Sequence, residues 1–247
     1  MLYLIGVGLG DEKDLTINAR DIIKKCDFVY LESYTSCLDI NLQKLEKLVG
    51  KTIIVADRNF VEVENQIIEN SKACSVVFLV KGDVFSATTH IDLFIRAKQA
   101  GVECKVLHNA SVITAVGDTG LSLYKFGRVV SIPFDNELID SSYEAFLAND
   151  VIHTLFLLDL RPNENRYMDF KQAINYLVKK SDERKDNKIN LETNCVVCAG
   201  LGTDKQIIKY GKIRDLLNLN IEVFPQCIIV PGELHFMEEE MLKFFKI

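Results

Sequence analysis

The sequence predicts an α/β protein of two domains, the first built on a parallel sheet. Two observations carry this. Short apolar runs that end in glycine or polar loops alternate with amphipathic helical patterns through the first half. The rhythm then changes near residues 115–120, which places the domains at 1–115 and 116–247.

Residues 2–5 are a continuous apolar run without helical spacing, as in a strand buried on both faces of a parallel sheet. The run enters Gly6-Val7-Gly8-Leu9-Gly10-Asp11, where Gly6 and Gly8 admit backbone angles closed to other residues and let a ligand approach the main chain. A helix follows with Leu15, Ala19, Ile22, Ile23 and Cys26 on one face and Thr16 as its cap. The order strand, glycine loop, helix resembles a dinucleotide fingerprint, but Asp11 stands where its third glycine belongs. A carboxylate there would repel a pyrophosphate resting on the helix N-terminus and would tolerate a small cationic cofactor without phosphate. The plainer alternative for Asp11 is a solvated acid in a first turn.

Residues 28–31 form the next strand and end in Glu32-Ser33-Tyr34-Thr35-Ser36. In a dinucleotide enzyme Glu32, about twenty residues past the glycines, would be the ribose-binding acid. Leu38, Leu42, Leu45, Leu48 and Val49 mark a helix closed by Gly50, residues 52–55 a strand, and Val63, Ile67 and Ile68 a helix. Residues 76–80 are the most apolar strand of this half, and Lys81-Gly82-Asp83-Val84-Phe85-Ser86 leaves its end. Ligands of open parallel sheets bind beyond the carboxyl ends of strands, which is where Asp83 falls, although Gly-Asp is also a common turn. A helix with Ile91, Phe94, Ile95 and Ala97 stops at Gly101, and a strand at 102–107 leads to His108-Asn109-Ala110-Ser111. Ser111 either caps the next helix or presents its hydroxyl to a ligand.

The second half reads as strands at 129–133, 154–160, 195–199, 207–210 and 226–230, with helices at 141–148, 168–180, 213–219 and 235–245. The charged stretch 181–190 reads as an exposed loop.

The chain's 247 residues give ample length for buried cores, and 48% hydrophobic with 26% charged residues is an ordinary soluble composition. A net charge of −6 argues against unspecific nucleic-acid binding. The longest apolar runs are far too short to cross a bilayer and the N-terminus lacks a basic leader, so a cytoplasmic protein without membrane association is expected. The seven cysteines sit mostly in apolar runs and read as reduced core thiols. Cys195 and Cys198 have redox spacing, yet three positions along a strand point to opposite faces. The scattered histidines define no metal site.

Several stretches together resemble the diphthine synthases, within the wider class of tetrapyrrole-methylase-like S-adenosylmethionine methyltransferases. They include LYLIGVGLGDEKDLT at 2–16, LESYTS at 31–36, VADR at 55–58, GDVFSATTH at 82–90 and HNASVITAVG at 108–117. In the second half they are LYKFG at 123–127, HTLFLLDLRP at 153–162, RYM at 166–168 and IIVPGELHFMEEEML at 228–242. The resemblance implies a homodimeric, two-domain enzyme with the cofactor in a cleft between an N-terminal parallel-sheet domain and a C-terminal mixed α/β domain. It implies methylation of the 2-(3-carboxy-3-aminopropyl)histidine of translation elongation factor 2 in diphthamide biosynthesis, with S-adenosylhomocysteine as product. Carried over by position, cofactor contacts fall on Leu9, Asp83, Ser86, Ser111, Val112, Leu158, Leu201 and Gln226.

Three positions depart from the family: Val84 replaces a proline, Ser86 a glycine or valine, and Gln226 a histidine. No catalytic residue is assigned. Glu32, Tyr34 and His90 are the polar groups of the loops expected to face the cleft. HNAS, VADR and LHFMEEEML are closer to eukaryotic members, whose reaction adds a fourth methyl on the carboxylate. The alternatives are a tetrapyrrole or corrinoid methyltransferase, a nicotinamide-dependent oxidoreductase, and a non-catalytic module that binds elongation factor 2.

Overall fold

The computed structural model describes residues 1–35, 40–149 and 151–247. Leu38, the expected start of the second helix, and Ser36, at the end of the loop after the second strand, lie outside the described residues. The chain divides into two compact units, Met1–Ala115 and Val116–Ile247.

The first unit runs β1 (Leu2–Gly6), α1 (Ile17–Lys25), β2 (Phe28–Glu32), α2 (Leu42–Val49), β3 (Ile54–Ala56), α3 (Arg58–Glu62) and α4 (Gln66–Ala73). It continues through β4 (Val76–Val80), α5 (Ile91–Gln99), β5 (Cys104–Leu107) and α6 (Val112–Ala115). Its sheet has the order β3-β2-β4-β1-β5 and every pairing is parallel. Alternate strand residues serve opposite faces. Leu2, Leu4, Val76, Phe78 and Val80 pack with Val61, Ile67, Leu93 and Ala97 from α3, α4 and α5. Ile5, Val29, Leu31, Val77 and Leu79 pack with Ala19, Ile23, Leu45 and Val49 from α1 and α2. Helices on both faces explain why β4 is buried along its whole length and reads as an unbroken apolar run.

Two local expectations shift, and the Thr16 cap and the Gly50 stop hold. The strand expected at 52–55 is β3, whose register Tyr30↔Ile54, Leu31↔Val55 and Glu32↔Ala56 is set by its single neighbour at the sheet edge. Val63 lies outside any helix, because α3 is a separate short helix capped by Asp57, whose carboxylate accepts from Phe60 N at 2.8 Å. Thr16 caps α1 by accepting from Ala19 N at 3.1 Å, and Gly50 ends α2 in the left-handed region at φ +66°.

The second unit runs β6 (Val130–Ile132), α7 (Ser141–Asn149), β7 (Thr154–Leu158), β8 (Leu160–Arg161), β9 (Arg166–Tyr167) and α8 (Phe170–Arg184). It ends with β10 (Asn194–Ala199), β11 (Ile207–Lys212), α9 (Ile213–Leu216), β12 (Gln226–Val230) and α10 (Phe236–Leu242). Its sheet is mixed, with the order β11-β10-β12-β7-β6 and one parallel pairing between β6 and β7. Phe156, Val197 and Ile228 pack against Phe170, Ile174 and Leu177 of α8. The last residues pair with the outer strand: Ile247 N donates to Tyr210 O at 3.1 Å, and Tyr210 bridges Lys246.

The strand expected through 160 breaks at Asp159, whose carboxylate accepts from Phe134 N at 3.0 Å. The stretch 181–190 is not simply an exposed loop. Helix α8 extends through Arg184, and Ser181 and Ile189 are buried. The segment folds around Asp186, which accepts from Tyr143 Oη (2.7 Å), Ser181 Oγ (2.8 Å) and Lys188 N (3.0 Å), so its charges are turned inward as well as outward. Among the described residues no helix is long and apolar enough to cross a membrane.

Candidate functional site

Neighbouring β1 and β4 release two loops side by side at their carboxyl ends. The main chains of these loops then pair: Gly8 and Gly82 form an antiparallel bridge. Both glycines are in the positive-φ region, at +83° and +77°. Side chains are excluded from this junction, since a Cβ on Gly6 would lie 2.5 Å from Gly82 O and one on Gly8 would lie 2.5 Å from Asp14 Cβ.

Asp83 fixes the second loop. Its carboxylate accepts from Phe85 N (3.1 Å) and Ser86 Oγ (3.0 Å) on one oxygen, and from His108 Nδ1–H (2.8 Å) and Asn109 N (3.1 Å) on the other. Burial alone would raise its pKa, but these four donors hold it below the usual 3.8. Asn109 extends the network by donating through Nδ2 to Gly6 O and Asp14 O, both at 3.0 Å. Asp14 accepts from Gly10 N at 2.7 Å, and Lys81 Nζ donates to Gly10 O at 2.7 Å. Gly10 is therefore held on both sides.

The junction gathers the first-unit residues expected at a cofactor. A Cβ on Gly82 would contact Leu9 Cδ2 at 3.7 Å, Ala110 O at 3.6 Å and Ser111 Cα at 4.0 Å. Leu9, Asp83, Ser86, Ser111 and Val112 thus belong to three loops that meet at one point. Ser111 precedes α6, where its carbonyl accepts from Ala115 N at 2.8 Å and the Thr114 hydroxyl accepts from its amide at 3.1 Å. Asp11 accepts from Lys13 N at 2.9 Å in an exposed first turn, which is the plainer of its two readings.

In the second unit Leu158 ends β7, Gln226 begins β12 opposite Ala199, and Leu201 follows β10. These three share one end of that sheet. The Gln226 amide is occupied by its own unit: Oε1 accepts from Phe170 N at 2.8 Å, and Nε2 donates to Ile221 O and Val223 O, both at 2.9 Å.

The three polar loop residues are interior groups. Glu32 is 1% exposed, and its carboxylate accepts from Tyr34 N (3.0 Å), Thr35 N (2.9 Å), Lys81 N (3.3 Å) and Thr35 Oγ1. It organises a loop and offers no oxygen for a ribose. His90 is buried with Nδ1 3.4 Å from the Tyr34 hydroxyl and, among the described residues, Nε2 without a partner; burial lowers its pKa against the pull of Glu32 and Glu62. Burial, with the charges of Glu62 and Glu32, raises the Tyr34 hydroxyl despite Arg58 over its ring. Neither group is placed for proton transfer at a loop surface.

Sequence reasoning did not single out Asn109, His108 or Asp14 individually. Asn109 and His108 were present in the HNAS stretch, at a strand's carboxyl end.

The family profile of the tetrapyrrole (corrin/porphyrin) methylases matches residues 1–217. That is the class of protein whose glycine loop and Gly-Asp turn are described above. The chain is 41% identical to the diphthine synthase of Methanocaldococcus jannaschii over 99% of this chain and 98% of that one. It is 39% identical to the diphthine methyl ester synthase of Homo sapiens, over 100% and 95%. A solved crystal structure of diphthine synthase superposes with a TM-score of 0.89 at 30% identity, covering 100% of this chain and 96% of that one. The chain belongs to the diphthine synthases within the tetrapyrrole methylases.

Proposed function

We propose that this chain transfers methyl groups from S-adenosylmethionine to the 2-(3-carboxy-3-aminopropyl)histidine of translation elongation factor 2, in diphthamide biosynthesis. The observation that carries the reading is the nearly end-to-end similarity to diphthine synthases from both an archaeon and a eukaryote. The chemistry of the Gly8–Gly82 junction fits such a cofactor. It offers main chain free of side chains, the half-buried apolar Leu9 and a buried carboxylate, a poor setting for phosphate and a tolerant one for a cation.

The proposed cofactor contacts are Leu9, Asp83, Ser86, Ser111 and Val112 in the first unit and Leu158, Leu201 and Gln226 in the second. Since their side chains are occupied, Asp83 and Gln226 contribute through main-chain atoms. The bound sulfonium supplies an activated methyl and its own leaving group. The protein's task is to hold the nucleophile in line and exclude water, and such positioning contributes about 7–11 kcal/mol. A nitrogen nucleophile must lose its proton before each attack, whereas a carboxylate is ready near neutrality. The reading assigns no general base.

The similarity to eukaryotic members supports the diphthine methyl ester as product. As the family resemblance implies, we further propose a cytoplasmic homodimer, whose oligomeric state light scattering of the purified protein tests. The decisive experiment is mass spectrometry of elongation factor 2 carrying the aminocarboxypropyl-histidine after incubation with the protein and S-adenosylmethionine. A gain of four methyls supports the ester and three the archaeal-type product. No gain with cofactor binding intact overturns the reading.

A further inference from the structure

We propose that a groove within the second unit docks an acidic segment of the protein substrate, with the Arg166 guanidinium as carboxylate anchor. This rests on the reading that elongation factor 2 is the substrate. The groove has a volume of about 300 Å³ and is lined by Phe134, Asn136, Arg166, Gln172, Asn175 and Lys179, among others. That is room for side chains rather than for a water or two.

Arg166 is singled out by a conflict within the fold. Strands β8 and β9 form a two-stranded ladder in which Arg161 stands directly opposite Arg166. Like charges so placed oppose folding. Arg161 is neutralised, with Asp135 at 2.6 Å and Asp159 and Glu164 each at 3.9 Å. Among the described residues no carboxylate forms a salt bridge with Arg166. Its guanidinium carbon instead sits 3.8 Å from the centroid of the Phe134 ring. A planar donor fork steadied on an aromatic ring is suited to take a carboxylate by paired hydrogen bonds.

The rest of the groove fits the same ligand. Gln172, Asn175, Tyr176 and Lys179 share one face of α8, a row about 10 Å long that matches about three residues of extended chain. The exposed Asn175 amide therefore lies between Arg166 at the hairpin and Lys179 farther along the helix; Gln172 Oε1 accepts from Asp169 N at 3.1 Å in the helix cap, and Lys179 shares a solvent-exposed pair with Glu183 at 3.8 Å. Other lining groups are committed elsewhere: the Tyr176 hydroxyl donates to Ile139 O at 2.7 Å, and Lys180 pairs with Asp140 at 2.7 Å. Among the described residues Glu137 is the one lining acid. This basic character runs against a chain whose net charge is −6, and it is complementary to an acidic partner.

The test compares wild type, Arg166→Gln and Lys179→Gln in methyl transfer to elongation factor 2 bearing the precursor side chain, with S-adenosylmethionine binding measured by calorimetry. Arg166→Gln should raise KM for the protein substrate about tenfold, as expected for one charge-assisted contact, with kcat and cofactor Kd unchanged. Lys179→Gln should act in the same direction, and added salt should narrow the difference from wild type. Arg166→Lys should recover only part of the loss. The unfolding temperature of Arg166→Gln should not fall, because a cross-strand repulsion is removed. An unchanged KM in Arg166→Gln, when the wild type does methylate elongation factor 2, overturns the docking site alone. A weakened cofactor Kd would overturn it by assigning Arg166 to the cofactor. A wild type that neither binds nor methylates elongation factor 2 overturns both the proposed function and the docking site.

Discussion

Gly8 and Gly82 exchange both of their main-chain hydrogen bonds, Gly8 N donating to Gly82 O at 3.2 Å and Gly82 N to Gly8 O at 2.9 Å. The exchange joins the loops that leave two adjacent parallel strands, so a change to either loop is felt by the other. Gly6→Ala would place a methyl 2.5 Å from Gly82 O, a backbone atom that moves only by breaking the junction. It should lower the unfolding temperature, since overpacking of this kind costs about 1–3 kcal/mol, and weaken S-adenosylmethionine binding by calorimetry. Gly50→Ala is the control. It is strained by its φ of +66° but meets nothing within 4 Å, so it should cost only about 1 kcal/mol and leave cofactor affinity unchanged.

Asp83→Ala would strand half-buried donors on Phe85, Ser86 and Asn109 and release the exposed His108. The expected cost is about 2–3 kcal/mol, read from urea midpoints, together with loss of cofactor binding. Asp83→Asn keeps one acceptor oxygen and should fall between alanine and wild type. A stable Asp83→Ala protein with wild-type cofactor affinity would remove this residue from the site.

Glu238 is the buried hub of the second unit. It accepts from Ser122 N (2.8 Å), His235 N (2.8 Å), Lys125 Nζ (2.6 Å) and His153 Nε2–H (3.2 Å). Burial alone would raise its pKa, but the His235 amide, Lys125 and Ser122 outweigh that and hold it far below the usual range. Glu238→Ala should destabilise by about 3 kcal/mol, leaving Lys125 with Glu233 O at 2.6 Å but no carboxylate, and should lower the unfolding temperature by roughly 6–12 °C in calorimetric scans.

The same hub sets a pH dependence. His153 is neutral in the fold: it donates to Glu238, Gly232 N donates to its Nδ1 at 3.0 Å, and burial lowers its pKa from the usual 6.5. The unfolded chain takes up a proton there more readily than the folded one. Stability from His153 is thus fully present above about pH 6.5 and lost as pH falls below it, and His90 has the same sign. Glu238 and Asp83, also lowered, contribute above their ordinary values of 4.5 and 3.8 and lose that contribution below them. Urea midpoints should fall in two stages on acidification. His153→Gln should flatten the first stage and leave the second.

Cys195 and Cys198 are fully buried; burial pushes the Cys195 thiol up to about 12, and a hydrogen bond to Cys227 together with burial raises Cys198 well above 9.0. Neither should react with a thiol reagent in the native protein at pH 8. Both should become reactive in urea, and native-state labelling of either would reopen a redox role.

The strands were legible wherever burial on both faces wrote a continuous apolar run, as in β4 and β12, and the caps wherever Thr16 or Gly50 punctuated a helix. Element ends were less legible where a tertiary partner sets them. The register of β3 follows from β2, and the extension of α8 depends on Tyr143, far away in the chain, closing over Asp186. Within the site, Asp83 and the glycines could be marked from strand-end position. The interior roles of Glu32, His90 and Gln226 could not, because a polar residue in a loop reads the same whether its partner is a ligand or the neighbouring main chain. Asn109 shows this best, since its side chain bridges residues 103 and 95 positions away in sequence.

The pairing of Lys246 and Ile247 with Tyr210 covers part of the outer rim of β11, and Gly211 makes room for it, since a Cβ there would lie 2.8 Å from Ile247 Cγ1. An uncovered rim is a template on which another chain can add a strand. These two residues therefore act as a guard against edge-to-edge strand addition, and any substitution that lifts them off the rim becomes a determinant of how concentrated the protein can be kept before it aggregates.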